Sequence, residues 1–285
     1  MTTIRIGVPT LNGPDRLQRL VESVEHCTDF DRYPETRLLV CDDASTPSNL
    51  LGVKHVVDGS PLRGQGRIDL IMHQERLGIA RSWNHLTAHE GPRDITVLIN
   101  DDIEVVDHWL DVVVFSLQNN SKLGMLGLNN YVGITKGQHR AASSHWPGHV
   151  AVPRVDYHEA RLMTGGGRLL SSTGPIFAFR RDAFEAAGGF DERYFVYYEE
   201  LHFGCALRQK GYFHAMASYP LVYHMGGATN SEPRNLDAKK VMAESREKFL
   251  SHWGKSIAQL SDELPVATEA LASIREWNTL IGNWR

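Results

Sequence analysis

Apolar residues recur along the first hundred positions in two alternating rhythms. The short runs "IRIGVP" (4–9), "TRLLVCDD" (36–43), "RIDLIMH" (67–73) and "ITVLIN" (95–100) are bounded by turn formers and read as strands. Between them, "GPDRLQRLVESVEHC" (13–27) places Leu17, Leu20, Val21 and Val24 on one helical face, and "LGIARSWNHLTAHE" (77–90) reads as a second helix. Strands alternating with helices mean βαβ units and a mostly parallel sheet, in which ligands sit beyond the carboxyl ends of the strands.

The rest of the chain is less regular. Residues 130–175 hold many Gly, Ser and His, including "TGGG" (164–167), and are expected to form long mobile loops. "GPIFAFRR" is expected to be a strand leading into the short helix "DAFEAAGG". "YYEELHFGCALRQKGY" reads as a helix closed by Gly211, and "FHAMASYPLVYH" as a strand. Two amphipathic helices, at about 236–252 and 264–281, follow the polar segment "GGATNSEPRN".

The 285 residues, 42% hydrophobic and 22% charged, suit a globular protein with a substantial core. A formal net charge of −4 argues against a nucleic-acid partner. Cys27, Cys41 and Cys205 are far apart and lack CxxC spacing, the usage of reduced thiols in a cytoplasmic protein. No apolar run approaches the roughly 18 residues of a membrane span.

Candidate chemistry collects where strands stop. "CDD" (41–43) and "NDD" (100–102) both end strands, so both face one crevice. Asp also caps helices and forms turns, and "DDAST" could cap a helix at "PSNLL". For Asp101 and Asp102 a hard divalent cation, Mg²⁺ or Mn²⁺, offsets the repulsion between neighbouring carboxylates and wants one or two of them plus phosphate oxygens. Gly78, Arg81 and Asn84 at a helix start could meet phosphate, although a surface helix often carries an exposed Arg. "LRGQGR" (62–67) follows no good strand and is a weak dinucleotide signal. Glu199 and Glu200 open a helix whose dipole favours the ionised form a general base needs, and simple dipole complementation is the plainer account. His224 ends a strand, as structural histidines do, yet a neutral imidazole would also complete a metal site begun by a carboxylate. His145 and His149 in "HWPGH" are separated by Pro147 and Gly148, which rules out a helical zinc pair.

Taken in order, "GVPTLNGPDRLQRLVESV", "LLVCDDAS", "LGIARSWNHL", "VLINDDIEV", "GPIFAFRRDAFEAAGGFDERYF", "YYEELHFGCALRQKGY" and "LVYHMGGAT" resemble the successive blocks of family-2 glycosyltransferases with the GT-A fold. The resemblance runs from about residue 4 to 230. It implies an α/β nucleotide-diphospho-sugar transferase fold with a mixed, mostly parallel sheet flanked by helices and a helical C-terminal tail. Residues 1–103 would be the nucleotide-sugar half, 104–230 the acceptor and catalytic half of the same domain, and 231–285 a helical extension.

The resemblance also implies roles. Pro9, Thr10 and Asp43 would line the base pocket, with Asp43 accepting the imide N–H of uracil or thymine, so that UDP or dTDP is favoured over GDP. Arg81 would hold base or diphosphate. "NDD" stands where the family has DXD, with Asp102 as metal ligand, Asp101 near the ribose or sugar, and Asn100 departing from the pattern. Glu200 would be the base of the family's "ED" position, with Glu199 the alternative because the family more often has Asp there, and His224 would complete the site for Mn²⁺ or Mg²⁺. The implied reaction is transfer from a nucleotide-sugar donor to a glycan or other hydroxyl-bearing acceptor, by single displacement with inversion. A nucleic-acid acceptor is a minor alternative, and the tail could support a homodimer. A nucleotide-sugar hydrolase, a nucleotidyltransferase, or a non-catalytic nucleotide-sugar-binding protein could use the same crevice.

Overall fold

Strand β1 (Ile4–Thr10) is buried at all seven positions, the signature of a strand covered on both faces. Parallel neighbours flank it, β2 (Thr36–Asp42) on one side and β4 (Ile95–Ile99) on the other, and β3 (Ile68–Met72) extends the sheet beyond β2. The structure is a computed structural model that describes residues 1–132, 175–224 and 237–263. Helices α1 (Pro14–Cys27), α2 (Pro47–Gly59), the single turn α3 (Pro61–Gly64) and α4 (Ile79–Ala88) connect these strands.

Beyond β4 the chain forms β5 (Ile103–Val105), α5 (Trp109–Asn119), β6 (Leu123–Val132), β7 (Ile176–Arg180), α6 (Arg181–Ala187), α7 (Glu199–Gln209) and β8 (Phe213–His224). The eight strands make one sheet in the order β3-β2-β1-β4-β7-β6-β8-β5. β7 runs antiparallel to both β4 and β6, β6 and β8 are parallel, and β5 is antiparallel to β8. The chain therefore leaves the sheet after Ile99 and rejoins its opposite edge at Ile103. Asn100, Asp101 and Asp102 make that crossing.

Alternate residues of the central strands feed two layers. Ile4, Ile6, Val8, Val40 and Val97 pack with Leu17, Leu20 and Val24 of α1 and with Trp109 and Val113 of α5. Leu39, Leu98, Phe177 and Phe179 face the other way, onto Trp83 and Leu86 of α4 and Phe203 and Leu207 of α7. Each fully buried side chain of this size contributes roughly 1.5–3 kcal/mol. Helix α8 (Ala238–Trp253) and α9 (Ile257–Glu263) form a third cluster, in which Phe249 and Leu260 meet Tyr194 and Cys205.

The strands and helices expected in the first hundred residues all form, as do β7, α6, α7, β8 and the first tail helix. α5 and β6 carry no periodic signal in the sequence. Residues 130–132 of the expected loop belong to β6, whereas 133–174, the "GGATNSEPRN" segment and the tail helix at 264–281 lie outside the described residues, as do His145 and His149. No helix among the described residues is long and apolar enough to cross a membrane.

One glycine fixes how the two halves meet. Gly78 precedes α4 with φ +86°, and a Cβ built there would lie 2.4 Å from the Phe195 carbonyl oxygen. That oxygen accepts the Ile79 N–H at 2.8 Å. Gly78→Ala combines a disfavoured φ with this overlap and should cost about 1–3 kcal/mol. Chemical denaturation checks it, and a change below about 0.5 kcal/mol would show that the α4–Phe195 approach is not a tight constraint.

Candidate functional site

A cleft of about 430 Å³ opens at the carboxyl ends of β1, β2 and β4. Its lining includes Pro9, Thr10, Asp43, Asn100, Asp101, Glu199, Glu200 and His224, together with Arg76 and the aromatic residues Trp83, Phe177, Phe195 and Tyr197. Trp83 packs edge-on against Phe177 at 5.1 Å between ring centroids, giving the cleft a rigid aromatic flank.

The two acids after β2 take different tasks. Asp42 accepts the Ser45 N–H at 2.9 Å and the Ser45 hydroxyl, so it shapes the turn toward α2. Asp43 accepts the N–H groups of Leu77 (2.8 Å) and Gly78 (3.1 Å) and pairs with His73 Nδ1 at 2.9 Å. These contacts tie β2 to the start of α4. A carboxylate has about four lone-pair sites, so one remains for a ligand.

After β4, Asp101 accepts the Thr10 hydroxyl at 2.7 Å and faces the Arg16 guanidinium, whose Nε and Nη2 each lie 3.4 Å from one of its oxygens. Burial pushes the Asp101 carboxyl above its usual range, while Arg16 and Thr10 pull it back. Asp102 sits apart. Pairing of β5 with β8 sets Ile103 opposite His224, which brings His224 Nε2 to 3.2 Å from Asp102 Oδ2. Asp102 is 3% exposed, and its Oδ1 has no hydrogen-bond partner.

The donor set fits a hard divalent cation that also takes oxygens from a substrate. Asp102 and His224 offer two ligands, and the orphaned Oδ1 is an oxygen in need of a positive neighbour. Among the described residues there is no group of three or more His, Cys, Asp or Glu able to hold a metal ion without help. Such an ion would therefore rely on substrate phosphate and water.

Glu199 and Glu200 open α7 directly after Tyr197 and Tyr198, whose φ angles of 68° and 72° are left-handed. Burial and the neighbouring Glu200 charge hold the Glu199 carboxyl well above its usual range, and burial raises Glu200 as well. The sequence expectation that the helix end favours ionisation is outweighed here, because desolvation is the largest influence on both residues and favours their neutral forms.

Two expected contributors stand elsewhere. Arg81 is on the solvent side of α4, about half exposed, with Nε 3.3 Å from Glu192, and it is not part of the cleft lining. Asn84 holds the main chain at Phe190 through bonds of 2.8 and 3.0 Å. The cations near the cleft are Arg76, whose guanidinium lies 5.5 Å from the Phe195 ring centre, and Arg16. Arg16 was detectable, since it falls on the same α1 stripe as Leu20 and Val24, where a charge has to find a buried partner. Arg76 carries no such pattern.

A parallel half-sheet with acids at its carboxyl ends, joined to a mixed half that returns a histidine and a glutamate pair to the same cleft, is the architecture of the GT-A glycosyltransferases. Residues 5–188 match glycosyl transferase family 2, and the chain belongs to that family. It is 28% identical over 216 residues to the O-antigen biosynthesis protein RfbC of Myxococcus xanthus, covering 73% of this chain and 16% of RfbC. Over 101 residues it is 30% identical to the N-acetylglucosaminyl-diphospho-decaprenol L-rhamnosyltransferase of Mycobacterium tuberculosis, covering 35% of this chain and 32% of that one. The chain thus spans a third or less of these relatives. Among solved structures, the mannosyltransferase PcManGT of Pyrobaculum calidifontis with GDP-Man and Mn²⁺ superposes with a TM-score of 0.62 at 16% identity, covering 99% of this chain and 75% of that one. GalNAc-T7 with UDP, GalNAc and Mn²⁺ gives 0.61 at 17%, covering 98% and 55%.

The raised Glu199 carboxyl has a consequence for stability. A carboxyl whose folded pKa is raised stabilises the fold below its unfolded value, near 4.5, and that contribution is lost as pH rises through the folded value. Glu199→Gln keeps the neutral donor at every pH. The variant should match the parent near pH 4.5 and melt progressively higher than it as pH rises to 9. Parallel Tm curves would show that Glu199 is ionised in the fold.

Proposed function

We propose that the chain transfers a glycosyl group from a nucleoside diphosphate sugar to an acceptor hydroxyl in a metal-dependent single displacement with inversion. The observation that carries this reading is the meeting, at one cleft, of the acids after β2 and β4 with His224 of β8 and the glutamate pair of α7. These residues come from widely separated parts of the chain.

Pro9, Thr10 and Asp43 form the nucleotide end, where the remaining lone pair of Asp43 is available to an imide N–H. UDP or dTDP is preferred on that ground. The two solved structures of this fold hold GDP-Man in one case and UDP in the other, so the fold does not fix the base. Asp101, already oriented by Thr10 and Arg16, faces the ribose or sugar. Arg76, rather than the outward-facing Arg81, is the guanidinium set to meet the diphosphate.

A divalent ion, Mn²⁺ or Mg²⁺, held by Asp102 and His224 would stabilise charge on the departing diphosphate; both cited structures contain Mn²⁺. Glu200 takes the proton of the acceptor hydroxyl. Its raised pKa suits that task, because a general base works best when its pKa approaches the working pH. Glu199, whose carboxyl burial and the Glu200 charge hold toward the neutral form, is a poor nucleophile, which favours inversion. The relatives' names, O-antigen biosynthesis and a rhamnosyltransferase of N-acetylglucosaminyl-diphospho-decaprenol, support a glycan acceptor over a nucleic acid.

The test begins with calorimetry of UDP, dTDP, GDP and ADP, with Mn²⁺ and with EDTA. Binding should be stronger with Mn²⁺, and Asp102→Ala should lose that increment while remaining folded. Equal affinity under all three conditions would remove the metal from the reading. With a turning-over donor and acceptor pair, Glu200→Gln should lower turnover by about 10²–10⁴-fold and leave donor binding unchanged. Glu199→Gln should have the smaller effect. Retained turnover in Glu200→Gln with loss in Glu199→Gln would exchange their roles.

A further inference from the structure

We propose that helix α8 is a brace for the catalytic carboxylates, with Ser245 and Trp253 as positioning residues for Glu200; this rests on the reading of Glu200 as the base. The family match ends at residue 188, before both the glutamate pair and the helix in question.

The segment in front of Glu199 is costly to hold. Tyr197 and Tyr198 are consecutive non-glycine residues in the left-handed region, and such a turn persists only where its surroundings over-determine it. α8 supplies those surroundings from both ends. The Ser245 hydroxyl donates to the Val196 carbonyl at 2.8 Å, directly before the strained pair, and Lys248 Nζ donates to the Arg193 carbonyl at 2.8 Å. Phe249 packs on the Tyr198 ring at 5.5 Å.

Past the glutamates, one turn into α7, the Trp253 indole N–H donates to His202 Nδ1 at 3.2 Å. An indole can only donate, so Nδ1 carries no proton and the ring hydrogen sits on Nε2, 3.7 Å from Asp191 Oδ2. Burial lowers the His202 pKa to about 4, which keeps this acceptor neutral through the physiological range. α8 therefore grips the chain at 193, 196, 198 and 202, and the glutamate pair lies inside that span.

Ser245→Ala/Trp253→Phe removes both directed bonds and keeps apolar bulk, and Ser245→Ala alone is a milder second variant should the double one fold poorly. If α8 positions Glu200, kcat should fall on the order of 10–10²-fold with donor KM unchanged, the scale of an ångström-level misplacement. The same changes made in Glu200→Gln should cause no further fall, because the group they position is already disabled. Hydrogen exchange should quicken at 195–202 and stay unchanged in β1, β2 and β4. That measurement also decides the brace if the unmodified protein transfers no sugar, an outcome that would overturn the proposed function alone. Unchanged kcat, an additive loss in the Glu200→Gln background, or exchange that quickens equally across the sheet would each overturn the proposal and leave α8 a general stabilising element.

Discussion

Asp43, Asp101, Asp102 and Glu199 are each less than a tenth exposed at or beside one cleft, where little water is available to stabilise their charge. Burying an unpaired carboxylate costs several kcal/mol, so each must be answered by something in the protein or by a ligand. Asp43 is answered by two backbone N–H groups and His73, and Asp101 by Thr10 and Arg16, while burial shifts Glu199 toward its neutral form. Asp102 has His224 on one oxygen and nothing on the other. The order of satisfaction separates scaffold from chemistry. Contacts already made hold the pocket's shape, and the open acceptor positions, one on Asp43 and Oδ1 of Asp102, are where a ligand can still lower the energy.

That arrangement depends on sheet order more than on any loop. The parallel strands present the carboxyl ends of β1, β2 and β4 together, and β7 then reverses direction beside β4. β6 and β8 then resume the direction of β4, so β8 ends at the same end of the sheet and delivers His224 there. β5 is three residues long, yet its pairing with β8 sets the Asp102–His224 contact. A one-residue slip would turn His224 to the other face of the sheet and separate the two.

Much of this was legible in the sequence. Buried parallel strands announce themselves as unbroken apolar runs, and acids directly after such runs have few other reasons to be there. What escaped did so for physical reasons. Helix α5, "WLDVVVFSLQN", is buried on nearly every side, so it lacks the polar face that marks a surface helix. β5 is too short to show a period. Arg81 and Arg76 look alike in one dimension, and only the orientation of α4 shows that the first pairs with Glu192 in solvent while the second lines the cleft. The upward shift of the glutamate pair was also hidden. The helix end was visible in the sequence, whereas the burial that outweighs it depends on packing from distant parts of the chain.

The glutamate pair and the metal reading bear on the same electrostatic problem. Carboxylates outnumber guanidinium groups along the described lining, and a nucleoside diphosphate would bring more negative charge into it. Burial that favours the neutral forms of Glu199 and Glu200 reduces the repulsion at one end, and Arg16 does the same beside Asp101. Neither reaches Asp102, whose free oxygen adds to the repulsion an incoming diphosphate would meet. At an effective dielectric of about 20, two like charges 4 Å apart repel by roughly 4 kcal/mol. Under the proposed reaction, a divalent cation at Asp102 and His224 turns this term from repulsion to attraction.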